Sequence, residues 1–139
     1  MKKSILINSQ ISYVISRLGH GDSITIGDSG LPIPNWDMAI DLAVKKGIPA
    51  FLDVLDAVLT EQRIEEVILA EEIKQNSPEM YQKIIKKIQQ IEKADGIKVK
   101  YTKVSHEDFK LLTKDSKAII RTGEFTPYAN IILKSGVVF

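Results

Sequence analysis

The sequence predicts a layered α/β fold in a single domain. Two patterns carry that prediction. Stretches with apolar residues at alternate positions, the period of a strand, are interleaved with stretches in which they return every three or four residues, the period of an amphipathic helix. The two kinds alternate along the chain, as they do where helices pack on a sheet. The 139 residues suit one domain, spanning 1–139, and are enough to bury a real core.

Taken in order, Asn8 or Ser9 caps a first helix, whose face is Ile11, Val14, Ile15 and Leu18. Gly19 is placed to end it as the residue after the C-cap. Ile24 and Ile26 alternate with Thr25 and Gly27, a strand with one buried face. Ser29-Gly30 then turns, and Leu31-Pro32-Ile33-Pro34 is extended loop. Met38 to Val44 alternates as a short strand. After Pro49, the stripe Phe51, Leu52, Leu55, Val58 and Leu59 predicts a helix, and Ile64 to Ala70 a mostly buried strand. Ser77-Pro78 opens a long helix, with Ser as cap and Pro at the first helical position. Its apolar face is Tyr81, Ile84, Ile85, Ile88 and Ile91, and its lysines lie off that face, as a solvated surface.

Asp95-Gly96 turns the chain into a strand in which Ile97, Val99 and Tyr101 alternate with lysines, the pattern of a strand near an edge. Ser105 opens a short helix, with Asp108 at the capping-box position, Val104 and Phe109 spaced as a hydrophobic staple, and His106 at the first helical position. Ala118-Ile119-Ile120 and Asn130 to Leu133 read as two further strands. If the chain is extended at Tyr128 and Asn130, their side chains point the same way. The final residues, Val137-Val138-Phe139, are apolar, and are expected to pack on a neighbouring copy or on the domain's own sheet.

Composition excludes several classes. Lys+Arg 19 against Asp+Glu 18 leaves a net charge of +1, no electrostatic case for nucleic acid or a membrane surface as partner. The absence of cysteine rules out a disulfide framework, zinc–thiolate sites and a thiol nucleophile, and fits a cytoplasmic location. The apolar run Ile5-Leu6-Ile7 stops at Asn8, too short for a signal-peptide core, and nothing approaches the length of a transmembrane helix. Gly19-His20-Gly21 does not continue into a dinucleotide fingerprint, because position 24 is Ile. Gly27-Asp28-Ser29-Gly30 is followed by Leu31, which breaks the pattern of a serine-protease nucleophile loop.

The candidate chemistry lies at both ends of the first strand and near the C-terminus. His20 is flanked by Gly19 and Gly21, which permit close approach of a substrate. Asp28 leaves the strand's other end, where it either binds hydroxyls, orients a histidine or caps the next turn. A strand of this length spans roughly 20 Å if straight. His20 and Asp28 therefore share a pocket only if the corners fold back or if a neighbouring subunit supplies one of them. The two histidines meet helix ends of opposite polarity, which suits an acid and a neutral hydrogen-bonding partner. Tyr128 and Asn130 offer a phenol and an amide, both able to give and take hydrogen bonds with sugar hydroxyls. Arg121 and Glu124 either pair with each other or secure the loop before Pro127. His20, His106 and Asp28 lack the local spacing of a metal site.

Ser16-Arg17-Leu18-Gly19-His20, Asp28-Ser29-Gly30-Leu31-Pro32-Ile33-Pro34, Ala70-Glu71-Glu72-Ile73-Lys74 and the tail from Ile120 to Phe139 together resemble the D-ribose pyranase family, which also includes the L-fucose mutarotases. The resemblance implies an α/β/α domain with a mixed β-sheet that assembles into ring-shaped homo-oligomers, decamers of two stacked pentamers. It implies a cofactor-free and metal-free isomerase that interconverts β-pyranose and β-furanose D-ribose, supplying the furanose to ribokinase. On it, the acid falls on His20 and the substrate-binding positions on Asp28, His106, Tyr128 and Asn130. Tyr128-Ala129-Asn130 favours the ribose branch over the fucose branch, where Tyr-Gly-Asn is expected; Ser29 stands where Ala is expected in the ribose branch. The competing class is a non-catalytic sugar-binding or carrier subunit with the same pocket, or a mutarotase of another monosaccharide.

Overall fold

A computed structural model describes all of residues 1–139. Six strands form one sheet: β1 (Ser23–Gly27), β2 (Ala39–Asp41), β3 (Ile64–Ala70), β4 (Lys100–Val104), β5 (Ile119–Arg121) and β6 (Ile131–Ser135). Their spatial order is β2-β5-β1-β6-β3-β4. All neighbours pair in parallel except β6, which runs antiparallel to both β1 and β3. The sheet is therefore mixed, and the carboxyl ends of five strands line one edge together with the start of β6.

Five helices cover the sheet: α1 (Ser9–Ser16), α2 (Phe51–Leu59), α3 (Ile73–Asn76), α4 (Pro78–Asp95) and α5 (His106–Leu112). Side-chain alternation along the strands divides the core in two. Ile24, Ile26, Val67, Leu69, Ile120, Ile131 and Leu133 face the larger cluster, closed by Ile11 of α1, Val54, Leu55 and Val58 of α2, and Ile84 and Ile88 of α4. Ile68, Ala70, Ile119 and Ile132 face the smaller one, closed by Phe109 of α5 and by Leu31. Helices thus flank both faces of the sheet, the α/β/α layering that the resemblance implies.

Local capping chemistry explains where the helices start. The Asn8 side chain accepts the Ile11 N–H at 2.9 Å and begins α1. The Ser105 side chain accepts the Asp108 N–H at 3.1 Å, and His106 is the first residue of α5, as the spacing predicts. Gly96, with φ 64°, ends α4 in the left-handed conformation that favours glycine. Ser77 does precede Pro78 at the start of α4, but its hydroxyl caps nothing; it donates to the Pro127 carbonyl at 2.7 Å and ties the helix to the loop before β6.

Several sequence expectations are corrected. α1 stops at Ser16 with Arg17 as its C-cap, and the left-handed glycine of that corner is Gly21 (φ 81°), not Gly19. β1 is buried along its whole length, not on one face, because β5 and β6 flank it, α2 packs on one side and the turn at Thr113–Asp115, with Ser116 bonded to Thr25 at 2.7 Å, closes the other. The strand expected over Met38–Val44 shrinks to Ala39–Asp41, preceded by a single 3-10 turn. The strand expected from Ile97 begins at Lys100 and lies at the sheet edge, as its lysines predict. α3 has no counterpart in the sequence reading. Tyr128 is not extended: its φ is 62°, so Tyr128 and Asn130 are not related by strand alternation. Val138 and Phe139 are exposed in the single chain, which removes the domain's own sheet as their partner.

Candidate active site

The carboxyl edge of the sheet gathers four of the five predicted residues. Open α/β sheets bind ligands at this edge, because the loops leaving the parallel strands converge there around a crevice. Asp28 follows β1, His106 opens the helix after β4, and Tyr128 and Asn130 lie in the turn that enters β6.

Asp28 and Asn130 are locked together. The Asp28 N–H donates to Asn130 Oδ1 at 2.8 Å, and Asn130 Nδ2 donates to Asp28 Oδ2 at 2.9 Å. The other carboxylate oxygen accepts the Gly30 N–H at 2.9 Å, the turn-capping bond that an Asp before Ser-Gly predicts. Burial pushes the Asp28 carboxyl above its usual range, against the opposing pull of the Gly30 and Asn130 hydrogen bonds and the nearby His106. Asn130 is only 1% exposed. Its amide holds the carboxylate in place, and Asp28 is the more accessible of the pair. Gly27 makes this fit possible: a Cβ there would stand 2.9 Å from Asn130 Oδ1 and 2.6 Å from Leu31 Cδ2.

The two rings pack edge to face. His106 and Tyr128 have centroids 5.0 Å apart at 87°, and the imidazole also stacks on Phe109 at 6.4 Å and 11°. Tyr128 holds a left-handed backbone that costs a non-glycine residue about 1–3 kcal/mol. Its carbonyl accepts the Asn130 N–H at 2.8 Å, which closes the turn. The hydroxyl makes no hydrogen bond within the chain and remains free to meet a ligand.

His20 stands apart from this group. It lies at the opposite edge of the sheet, where Gly21 N–H donates to the carbonyl of Ser135 at the far end of β6. Asp28 is bonded to Asn130 at the near end, so the five residues of β6, about 17 Å of strand, separate the two. His20 is exposed, and its Nε2 lies 2.7 Å from Glu65 Oε2. It borders a groove of about 460 Å³ with Val137, Val138 and Phe139. Within one chain His20, His106 and Asp28 do not form one ligand set for a metal.

Three supporting residues escaped the sequence reading of the site or were left open by it. Glu124 does not pair with Arg121; it accepts the Thr126 N–H and hydroxyl at 3.1 and 2.8 Å and the Phe51 N–H at 3.3 Å, so it secures the loop before Pro127 to the start of α2. Burial opposes its charge, but the Thr126, Phe51 and Phe125 hydrogen bonds win and hold its carboxyl below the usual range. Arg121 pairs with Asp41 at 3.1 Å and donates from Nε to the Ser29 carbonyl at 3.1 Å, which braces the turn after Asp28. Glu72 accepts the backbone N–H of His106 at 3.0 Å. A signal for Glu72 exists in the sequence: like Asp28, it is a carboxylate just past the end of a buried strand.

Carboxylate, phenol and imidazole meet at the carboxyl edge of the mixed sheet of a layered α/β protein. The chain belongs to the RbsD / FucU transport protein family, whose family model matches residues 1–138. Curated relatives named D-ribose pyranase, from Photobacterium profundum and Aliivibrio fischeri, are 55% and 52% identical, each aligned over 100% of both chains. The fold is similar to that of Bacillus subtilis RbsD complexed with D-ribose, at TM-score 0.90 and 45% identity over 100% of both chains. It is also similar, at TM-score 0.76 and 25% identity over 100% of both chains, to a fucose mutarotase from Streptococcus pneumoniae in complex with L-fucose.

Proposed function

We propose that this chain is a D-ribose pyranase. It interconverts the β-pyranose and β-furanose forms of D-ribose through the open-chain aldehyde, in the cytoplasm, and supplies ribofuranose to a ribokinase. The observation that carries the reading is the Asp28–Asn130–Tyr128–His106 cluster at the sheet's carboxyl edge, in a chain 55% identical along its whole length to a named D-ribose pyranase. The higher identity to the ribose-bound structure, 45% against 25% for the fucose-bound one, favours ribose over fucose.

Ring opening needs a proton on the ring oxygen and removal of one from the anomeric hydroxyl; closure through a different hydroxyl changes the ring size. Asp28 accepts hydrogen bonds from sugar hydroxyls, with Asn130 holding its carboxylate, and Tyr128 and His106 bind from the side. His20 supplies the proton. Because His20 lies a strand length from Asp28, the complete site takes His20 from a neighbouring copy in a ring-shaped homo-oligomer, expected as a decamer of two pentamers. The chemistry calls for no metal or cofactor, since a positioned imidazole moves both protons.

The test is exchange between ribose ring forms, followed by NMR saturation transfer. The protein accelerates exchange; His20→Ala loses about 10²–10⁴-fold of the acceleration. Co-assembly of His20→Ala with Asp28→Ala subunits restores part of it, since some interfaces then carry both intact residues. Ribose binding without faster exchange in the unaltered protein would instead identify a carrier subunit, and absence of complementation would show that His20 and Asp28 do not meet across a subunit contact.

A further inference from the structure

Two buried polar atoms near the site have no partner: Oε2 of Glu72 and Nδ1 of His106. Unpaired buried groups are rare, because each forfeits its hydrogen bonds to water without replacement. These two belong to residues already joined, since the other oxygen of the same carboxylate accepts the His106 backbone N–H at 3.0 Å. One is a pure acceptor; the other is the ring nitrogen that becomes a donor in one tautomer of imidazole. They are complementary, and the backbone bond brings their residues together, although the two atoms make no direct hydrogen bond to each other. His106 Nε2 is not among the buried orphans and makes no hydrogen bond within the chain. It is the ring nitrogen left to face a ligand.

We propose that Glu72 is a positioning residue that selects the tautomer of His106: through one bridging water its carboxylate holds the proton on Nδ1, and leaves Nε2 as a lone-pair acceptor for a sugar hydroxyl. This rests on the reading of Asp28, His106 and Tyr128 as the sugar site. Glu72 is well suited to the part. The His106 N–H, foremost, holds its carboxyl below the usual range, so it stays a carboxylate at neutral pH. Phe109 and Tyr128 confine the ring by packing against its face and edge, which restricts the orientations open to it. Asp28, close enough to His106 to feel its charge, already supplies an acceptor in the same cluster. An acceptor at Nε2 adds a second point at which a sugar hydroxyl donates, and the Tyr128 hydroxyl is left as the donor.

The chain has only two histidines, so ¹⁵N-histidine labelling reports both rings without crowding, and His20→Ala assigns them. In the unaltered protein at neutral pH the ¹⁵N shifts of His106 place the proton on Nδ1; a proton on Nε2 overturns the proposal without any variant. Glu72→Gln sharpens the test. The His106 N–H demands an oxygen at one end of the substituted side-chain amide, so the NH₂ falls at the other and donates to the bridging water, which in turn donates to Nδ1. The proton then moves to Nε2, and ribose affinity falls about tenfold, the cost of turning an acceptor into a donor. A capping role alone predicts no change of tautomer, since glutamine keeps the backbone bond. An unchanged tautomer in Glu72→Gln, or a changed one with full ribose affinity, defeats the proposal. Ribose addition that leaves both histidines of the unaltered protein unshifted defeats the sugar-site reading instead, while the tautomer itself is still decided by the same spectra.

Discussion

At the scale of residues, the site is a set of side chains whose ordinary behaviour has been changed by a neighbour. Asp28 shows it most clearly. Its carboxyl is raised by burial, so the folded chain takes up a proton at this position at higher pH than the unfolded chain does. The sign follows: ionised Asp28 disfavours folding, and its contribution to stability is lost as pH rises from the unfolded value, near 3.8, through the raised folded value. For binding the direction is opposite, because only the carboxylate accepts from two hydroxyls. Ribose affinity is therefore expected to hold at neutral pH and to fall on acidification before an ordinary aspartate would protonate. Calorimetric titration at a series of pH values checks this, with circular dichroism confirming that the fold persists. Affinity that is flat down to the ordinary aspartate range removes Asp28 from the binding site. Asp28, His106, Tyr128 and Asn130 were all legible as candidates from residue type and place in the sequence. That Asn130 serves Asp28 first was not, because a buried amide and an exposed one are written with the same letter.

At the scale of elements, the loop from Gly123 to Asn130 does what no single strand or helix does: it carries Tyr128 and Asn130 into place. Glu124 anchors it through Thr126 and through the first turn of α2, and Ser77 anchors it from α4. Glu124→Ala removes a charged acceptor from several donors at once, and is expected to cost about 1.5–3 kcal/mol of stability. Since the folded carboxyl is depressed, that contribution is present above the unfolded value, near 4.5, and is lost as pH falls through the folded one. Urea unfolding at fixed protein concentration, for both chains at neutral and acid pH, measures it. The difference between them shrinks on acidification; a constant difference would mean that the carboxylate charge is not what holds the loop. Sequence patterns located every strand and four of the five helices, three by apolar periodicity and α5 by its cap and staple. They overran β2 and missed α3, whose four residues are shorter than any periodic signal. Tyr128 escaped too, since a left-handed tyrosine is imposed by its neighbours and contradicts its own preference.

At the scale of the whole molecule, the two edges of the sheet carry different groups. The carboxyl edge holds the Asp28–Asn130–Tyr128–His106 cluster, and the opposite edge holds His20 beside Val137, Val138 and Phe139, of which the last two are exposed at 78% and 101%. Burying these side chains against a second copy contributes on the order of 1.5–3 kcal/mol each. Deleting Val137 to Phe139 is expected to lower both oligomer size and ribose exchange, as read by sedimentation velocity and saturation transfer on the same sample. A shortened chain that assembles and exchanges at the full rate would show that these residues support neither contact nor site.

By itself the sequence determined the α/β class, the order of all elements but α3, the cap of α5, the edge character of β4 and the identity of the candidate groups. Those are local matters: periodicity, turn chemistry and residue type act within a few positions of chain. Only the tertiary structure decided that β6 alone runs antiparallel, that β1 is buried on both faces, and that Asp28 and His20 occupy opposite edges of the sheet. It also joined Glu72 to His106 across 34 positions of chain. Strand order and the meeting of side chains distant in sequence follow from how the layers pack to exclude water. That is a property of all the apolar faces together and is encoded in no single stretch.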